Sequence, residues 1–307
     1  MRLDATGYLA PRGFEAHLRR ELRGVLAEHG RLFIARGQRQ PVHWTENVWL
    51  DPVEIKIRSV KDAVLKLRAI QRGWALYAFK LFRRAELIQG QLPHVSARPL
   101  EFPAPPPRSP LGSWTLLDED TVIASSHSTS PFPNGEVRFE EFKSGPPNRA
   151  YLKLWEALTL LGRHPRQGER CLDAGASPGG WTWAVSRLGA TVVAIDRAPL
   201  DPRVEQMPGV EYRQGSAFSL RPGAESFDWI LSDVVCYPER LWNWVKAWLE
   251  TGAVRHFVCT LKFQGDQHYG AIEHFESVKG SRLVHLHANK HELTWIFSRD
   301  ALGPQDA

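Results

Sequence analysis

A glycine-rich stretch between a predicted strand and a predicted helix carries the clearest chemical signal in the sequence. Residues 171–182 read CLDAGASPGGWT, and Gly175, Gly179 and Gly180 allow a tight turn and close approach of the backbone to a ligand. The following helix presents unpaired N–H groups at its start, and nucleotide cofactors bind at such strand–turn–helix crevices. Asp196 ends the next predicted strand, where its carboxylate can accept both hydroxyls of a ribose. The stretch predicts a nucleotide-cofactor site, and the alternative is a purely structural tight connection.

The spacing within this loop distinguishes it from two commoner nucleotide-binding loops. It fits neither GxGxxG nor GxxxxGK[ST], so the dinucleotide and P-loop interpretations lose support. The pattern Asp-x-Gly-x-x-Pro-Gly-Gly-Trp, which starts at Asp173, resembles instead the cofactor motif of the FtsJ-type (RrmJ-like) ribose 2′-O-methyltransferases, typically DLGAxPGGWT. The resemblance implies a Rossmann-like fold and S-adenosyl-L-methionine as the cofactor.

The resemblance also implies which residues hold this cofactor. In that family the loop surrounds the methionine and ribose of the cofactor, and an acidic residue after the second strand binds the ribose. An Asp often lies near the adenine after the third strand, and Ser216 takes that place here. The implied cofactor-binding residues are Asp173, Gly175, Ser177, Pro178, Gly179, Gly180, Trp181, Asp196, Ser216 and Asp233.

Two lysines and two carboxylates form the second implied set. A ribose hydroxyl must lose its proton to become a good nucleophile, and a lysine can accept that proton only when burial or a neighbouring cation depresses its pKa. The family uses Lys-Asp-Lys-Glu in chain order, which Lys153, Asp233, Lys262 and Glu292 match. By resemblance, Lys262 is the general base and Asp233 orients it near the reacting methyl group. Lys153 and Glu292 complete the network, although each residue alone also fits an ordinary structural role.

The residues after the fourth predicted strand bear on the choice of methyl acceptor. Enzymes that methylate exocyclic base nitrogens commonly carry an Asn/Asp-Pro-Pro-aromatic loop, which residues 232–235 lack. Enzymes that methylate base carbons use a cysteine nucleophile, and Cys236 is better explained as a small buried residue. A ribose hydroxyl is therefore favoured. The alternatives are a methyltransferase of the same fold that acts on tRNA or another acceptor, and a catalytically silent RNA-binding ribosome assembly factor.

The elements from Arg149 onward alternate between helices and short apolar strands. Strands separated by helices in this way predict a parallel sheet covered on both faces. Two closing strands, at 282–287 and 292–298, predict an antiparallel hairpin at its edge. The predicted fold class is α/β, a Rossmann-like S-adenosylmethionine-dependent methyltransferase with a smaller α+β N-terminal domain.

The first part of the chain predicts that smaller domain. Residues 14–28 space apolar side chains at helical intervals, and residues 74–81 are typical of a strand. Residues 93–113 are rich in proline and predict an extended linker, after which comes a hairpin at 114–125. The predicted domains are an N-terminal α+β RNA-binding domain at 1–92, a linker and connector hairpin at 93–145, and the methyltransferase domain at 146–307.

Charge is distributed unevenly along the chain. The formal net charge is +5, but residues 1–110 hold 19 Lys and Arg against 10 Asp and Glu, whereas the remainder holds 20 against 24. A basic part joined to a near-neutral part fits a nucleic-acid-gripping module attached to a catalytic one. Three cysteines without CxxC spacing argue against a disulfide framework or a zinc site, and no apolar run is long enough for a membrane span. We expect a cytoplasmic protein without metal, and a monomer.

Within the FtsJ-type family the chain most resembles the RlmM branch, whose members 2′-O-methylate a cytidine of 23S ribosomal RNA. The resemblance rests on residues 12–15, on 130–139 and on 149–154, together with the order of the catalytic residues. It implies 23S rRNA or a ribosomal precursor as the partner. That branch carries an N-terminal THUMP RNA-binding domain with a ferredoxin-like partner, and residues 1–92 are too short for both, so we expect a reduced form.

Overall fold

The chain divides into two units in the computed structural model, which describes residues 3–265 and 269–301. The first unit comprises Met1–Leu100 and Pro106–Arg138, and the second comprises Glu101–Pro105 and Phe139–Ala307. The end of the predicted methyltransferase domain, residues 302–307, lies outside the described residues.

The described residues of the first unit form two small sheets, three α-helices and the short 3-10 helix Pro133–Gly135. Its strands are β1 (Ala5–Leu9), β2 (Val25–His29), β3 (Leu32–Arg36), β4 (Asn47–Leu50), β5 (Val53–Lys56), β6 (Trp74–Leu76), β7 (Gly112–Leu116), β8 (Thr121–Ser125) and β9 (His127–Ser128). Its helices are α1 (Glu15–Glu21), α2 (Val60–Ile70) and α3 (Phe82–Gln89). The sheets have the strand orders β2-β3-β1-β4-β9 and β5-β8-β7-β6, and each has its own hydrophobic core.

The segment predicted as a linker with a connector hairpin is divided differently in the structure. Strands β7 and β8 lie in the middle of the four-stranded sheet, where β7 pairs in parallel with β6 and β8 pairs antiparallel with β5. Trp114 is fully buried in the core that this sheet shares with α2 and α3. The hairpin is therefore part of the first unit, whose last segment ends at Arg138.

Two predicted elements of the first unit were wrong in extent. The helix predicted at 14–28 ends at Glu21, and Val25–His29 forms the edge strand β2 paired with β3. Glycines with positive φ, Gly24 and Gly30, flank this strand and let the chain leave the helix and then turn back. The strand predicted at 74–81 ends at Leu76.

A single mixed sheet organises the second unit. Its strands are β10 (Arg170–Ala174), β11 (Thr191–Asp196), β12 (Val210–Gln214), β13 (Trp229–Ser232), β14 (His256–Lys262), β15 (Arg282–Val284) and β16 (Glu292–Ser298). Its helices are α4 (Tyr151–Leu161), α5 (Gly180–Arg187), α6 (Pro202–Glu205), α7 (Pro238–Glu250) and α8 (Ala271–Glu276). The strand order is β12-β11-β10-β13-β14-β16-β15, parallel except at β15 and β16. The predicted Rossmann-like class is confirmed.

Local sequence explains how these elements form and end. Helix α7 begins with Pro238, whose missing N–H needs no partner at that position, and buries Leu241, Trp244 and Trp248 along one face. Helix α4 ends at Gly162, which adopts a left-handed conformation at the C-cap. No helix among the described residues is both long and apolar enough to cross a bilayer.

Candidate active site

A cavity of about 360 Å³ opens at the carboxyl ends of β10, β11, β13 and β14. Ligands bind at this edge of open α/β sheets, where the strand order reverses. Its lining residues are Asn148, Ala150, Asp173, Gly175, Ala176, Ser177, Gly180, Trp181, Asp196, Asp233, Val234, Val235 and Lys262. Most of the predicted cofactor residues are thus gathered around one space.

The glycine loop of this cavity has no room for larger side chains. Gly175 has φ +89°, and a Cβ there would lie 2.6 Å from the Cβ of Val234. A Cβ on Gly180 would lie 2.2 Å from Oδ1 of Asn148. The loop backbone therefore approaches its neighbours as closely as the sequence predicted, although the occluding atoms belong to the protein itself.

Replacing Gly175 with alanine tests this packing. We expect Gly175→Ala to weaken binding of S-adenosylmethionine by about tenfold or more, because both the positive φ and the contact with Val234 resist a Cβ. Gly270→Ala is the matched control, since no atom of the described residues lies within 4 Å of its Cβ position. Isothermal titration calorimetry measures both affinities, and equal affinities for the two variants would contradict the expectation.

Asp196 holds the loop through main-chain hydrogen bonds. Its Oδ2 accepts a hydrogen bond from the N–H of Ser177 at 3.0 Å, and its Oδ1 accepts one from Ala198 at 3.0 Å. Each carboxylate oxygen has two lone pairs, so both oxygens retain capacity for a ligand hydroxyl. The hydroxyl of Ser177 in turn donates to the carbonyl of Pro199 at 2.8 Å, which connects the glycine loop to the segment after β11.

The structure places three of the predicted cofactor residues outside the lining of this cavity and gives Trp181, which lines it, a hydrogen bond within the protein. Trp181 is buried, and its Nε1 donates to the carbonyl of Ala150 at 2.8 Å, which ties α5 to the start of α4. Pro178, Gly179 and Ser216 are not among the residues that line this cavity. Ser216 lines a different groove, of about 550 Å³.

Asp173 is a buried acid with an unused oxygen. Its Oδ2 accepts a hydrogen bond from Oγ1 of Thr182 at 2.7 Å, whereas its Oδ1 has no hydrogen-bond partner among the described residues. Burial raises the pKa of Asp173 to about 7, and the charges of Asp233 and Asp196 act in the same direction. A buried acceptor without a partner is unfavourable, so the cavity wall suits a cationic ligand at this point.

The four predicted catalytic residues lie together beside this cavity. Lys153 is in the first turn of α4, Asp233 follows β13, and Lys262 ends β14. Glu292 begins β16 and is the antiparallel register partner of Lys262. Their side chains are 9–20% exposed, so the group is shielded from most solvent.

The two lysines differ in how their amino groups are engaged. Nζ of Lys153 donates to both oxygens of Asp233, at 3.0 and 2.8 Å, and to Oε1 of Glu292 at 2.9 Å. Nζ of Lys262 donates to the main-chain carbonyl of Asp233 at 2.6 Å and lies 3.1 Å from its Oδ1. Lys153 thus has three carboxylate oxygens within hydrogen-bond distance, which suits an ammonium, whereas the described contacts of Lys262 are one carbonyl oxygen and one carboxylate oxygen of Asp233.

The electrostatics of Lys153 agree with a permanent charge. Burial alone would lower the pKa of Lys153, but the carboxylates of Asp233 and Glu292 outweigh burial and raise it. Cys236, three residues after Asp233, is a poor nucleophile because burial raises its pKa to about 11. Lys153 is therefore a fixed cation in the site, and Cys236 stays a thiol at neutral pH.

Asn148 is a lining residue that the sequence reasoning did not single out. Its Oδ1 accepts a hydrogen bond from the N–H of Ala150 at 3.0 Å, just before α4, and it lies against Gly180. An Asn immediately before a helical pattern is a recognised turn and capping signal, so residues 146–149 (PPNR) contained the information. Among the described residues, no cluster of His, Cys, Asp and Glu could hold a metal ion.

A Rossmann-like sheet with a glycine-lined acidic cavity and an adjacent Lys-Asp-Lys-Glu group defines the class of the second unit as a methyltransferase fold. Residues 146–262 match the model of the family described as FtsJ-like methyltransferase. The resemblance drawn from the sequence is therefore confirmed for this part of the chain.

Curated relatives extend this similarity. A protein named ribosomal RNA large subunit methyltransferase M from Halorhodospira halophila is 40% identical over 134 residues, 43% of this chain and 39% of the relative. A protein of the same name from Xanthomonas axonopodis pv. citri is 32% identical over 216 residues, 64% of this chain and 61% of the relative. The chain thus spans about half the length of the curated relatives that it matches.

Among solved structures, a TehB-like SAM-dependent methyltransferase from Corynebacterium glutamicum is 18% identical, with a TM-score of 0.31. The match covers 48% of this chain and 95% of that chain.

Proposed function

We propose that this protein is an S-adenosylmethionine-dependent methyltransferase that modifies a ribose 2′-hydroxyl in RNA. The observation that carries the proposal is the unequal engagement of the two lysines around Asp233. The amino group of Lys262 has polar contacts only with Asp233 among the described residues, and when this amino group is neutral, both N–H groups can point to Asp233 while the lone pair accepts a substrate proton. Hydroxyl acceptors need such a base, whereas neutral base nitrogens and carbons are methylated with other groups.

The lining residues fit the proposed cofactor. S-adenosylmethionine, when bound, supplies an electrophilic methyl group on a sulfonium centre. Asp196 would accept the ribose hydroxyls, the glycine loop would lie against the cofactor, and the unused Oδ1 of Asp173 would face its cationic part. The cavity wall contains several carboxylates, and one of them, that of Asp173, has a buried oxygen without a hydrogen-bond partner among the described residues. Such a wall suits a ligand with positive charge.

We assign Lys262 as the general base. Its neutral amine accepts the proton of the ribose hydroxyl, and the two contacts to Asp233 direct the lone pair away from that residue. Lys153 stays protonated and compensates the charge of Asp233 and Glu292.

We also propose large-subunit ribosomal RNA, 23S rRNA or its precursor, as the substrate. The support is the name shared by the relatives and the basic first part of the chain. The three cysteines are free, which agrees with a cytoplasmic location.

Methyl transfer in vitro tests the proposed reaction. The purified protein is incubated with ribosomal RNA and methyl-labelled cofactor, and the RNA is digested to nucleosides for mass spectrometry. We expect label in a 2′-O-methylnucleoside, which also resists alkaline cleavage at its 3′ side. Label on a base, or no incorporation into naked RNA or ribosomal particles, would contradict the proposal, and label in tRNA would redirect the substrate.

The raised pKa of Asp173 gives cofactor binding a pH dependence. A cationic ligand favours the ionised acid, so affinity should rise with pH and level off above about 7. Between pH 8 and pH 6 the ionised fraction falls about tenfold, and we expect a similar loss of affinity in calorimetry. Asp173→Asn should bind weakly and without this dependence, whereas the exposed control Asp118→Asn should behave as wild type. A wild-type affinity that is constant from pH 6 to 8 would remove Asp173 from the site.

A further inference from the structure

A cavity in the first unit is lined by none of the residues assigned to the proposed reaction. It has a volume of about 760 Å³, and all its lining residues belong to that unit. Its walls come from the proline-rich segment 93–100, from residues 107–111 and from residues 131–138. Small-ligand sites typically have about 300–1,000 Å³, so the space is large enough for a ligand. We name it the arginine cavity, after Arg72, Arg98 and Arg138 in its wall.

Sequence and sheet pairing together keep the arginine cavity open. The proline-rich segments 93–99 and 107–110 contain no helix or strand, because proline fixes φ and cannot donate a main-chain hydrogen bond, whereas Pro133 begins the short 3-10 helix Pro133–Gly135. The segments are nonetheless anchored. Leu100 N–H donates to the carbonyl of Arg138 at 2.7 Å, and the hydroxyl of Ser128 donates to the carbonyl of Leu111 at 2.9 Å.

Positive charge in the arginine cavity is only partly neutralised. Glu136 is the single carboxylate among the lining residues of the described chain, and it lies 3.3 Å from Arg138 and 3.9 Å from Arg31. Arg72 and Arg98 are exposed, and no described carboxylate lies within ion-pair distance of either guanidinium. Two uncompensated guanidinium groups in a concave wall fit the charge of phosphate groups.

An aromatic ring accompanies these charges. Phe132 is half-buried in the wall, among prolines that make much of the surface apolar. Nucleobases stack on aromatic side chains when they are unpaired, and arginine binds the adjoining phosphates. A duplex hides the faces of its bases, so a single strand fits better. The excess of basic residues across 1–110 favours a polyanion over one free nucleotide.

We infer that the arginine cavity binds an unpaired segment of RNA, with phosphates at Arg72 and Arg98 and a base against Phe132. This is a second RNA contact, separate from the residues that surround the methyl-transfer site. It gives the first unit a means to hold substrate that does not depend on the catalytic lysines or on the cofactor.

Fluorescence anisotropy with a labelled single-stranded RNA of about twelve nucleotides tests this site without cofactor. We expect Arg72→Glu/Arg98→Glu to weaken binding at least tenfold and to flatten its salt dependence. The control Arg36→Glu/Arg39→Glu makes the same change in charge at exposed arginines outside the cavity, and we expect a clearly smaller loss. Phe132→Leu, which keeps an apolar side chain but removes the ring, should weaken binding about fivefold to tenfold.

Three results would overturn the inference. The first is an equal loss of RNA affinity in Arg72→Glu/Arg98→Glu and in the control Arg36→Glu/Arg39→Glu. The second is unchanged RNA affinity in Arg72→Glu/Arg98→Glu. The third is competition by an RNA duplex of the same length that is as strong as competition by the single strand. All variants should keep wild-type affinity for S-adenosylmethionine, because their positions lie in the first unit. Because the binding assay contains no cofactor, it tests the arginine cavity even if the wild-type protein fails to transfer a methyl group.

Discussion

We expect Lys262→Ala to lower the rate of methyl transfer by about 10³-fold and to leave the affinity for S-adenosylmethionine nearly unchanged. General bases typically contribute about 10²–10⁴-fold, and Lys262 contacts Asp233 from the edge of the cofactor cavity. Lys262→Arg is expected to be equally inactive, because a guanidinium retains its protons and cannot act as a base. Single-turnover rates with saturating cofactor measure the loss, and calorimetry measures binding.

Lys246→Ala is the control for this result. Lys246 lies on the exposed side of α7 and pairs with Glu250, so its loss should leave the rate within twofold of wild type. A wild-type rate in Lys262→Ala would refute the base assignment. A rate that falls only because cofactor binding falls would instead make Lys262 a cofactor ligand.

Replacement of Lys153 with methionine should abolish transfer and also destabilise the fold. The change leaves the carboxylates of Asp233 and Glu292 facing each other without their shared cation, in a site where all three side chains are at most 16% exposed. Removing one partner of a buried ion pair costs about 3–5 kcal/mol, so we expect the free energy of unfolding to fall by about 3 kcal/mol. Urea denaturation at pH 8 measures this difference.

The pH dependence of stability distinguishes charge from packing in Lys153→Met. The pKa of Lys153 is higher in the folded chain than in the unfolded one, so its contribution is fully present below pH 10.5 and is lost as pH rises through the folded pKa. The difference in the free energy of unfolding between wild type and Lys153→Met should therefore become smaller above pH 10.5. Exposed Lys61→Met should show neither effect, and Lys153→Met/Glu292→Gln should recover part of the lost stability. If this difference in the free energy of unfolding is the same at all pH values, the loss of stability comes from packing and not from charge.

The fold of the second unit was predictable because its signals are local. Alternating apolar strands and helices indicated the parallel sheet, and the loop from Asp173 indicated which crevice binds a ligand. Family resemblance identified the four catalytic candidates, of which Asp233, Lys262 and Glu292 lie at strand ends on one edge of the sheet and Lys153 lies on α4. Which of Lys153 and Lys262 acts as the base could be inferred from the sequence only through the family resemblance. The different hydrogen bonds of the two amino groups are visible only in the structure.

The first unit was less readable for physical reasons. Its hairpin 112–125 pairs with β5 and β6, strands that precede it by tens of residues, and no local pattern encodes such pairing. Residues 25–29 continued a helical spacing of apolar residues, and only the flanking glycines marked the change to a strand. Ser216 matches an adenine-binding position of the family by sequence, but it lines a groove other than the one lined by Asp173 and Asp196, and the path of the chain after β12 depends on tertiary packing that no local pattern encodes.

A map of ribose methylation in ribosomal RNA, from cells with and without the gene, tests the proposed reaction most directly. Alkaline cleavage with sequencing reads every 2′-O-methyl position at once. We expect one large-subunit position to lose its protection without the gene, and to regain it with the wild-type chain but not with Lys262→Ala. An unchanged map, or full restoration by Lys262→Ala, would contradict ribosomal ribose methylation by this site.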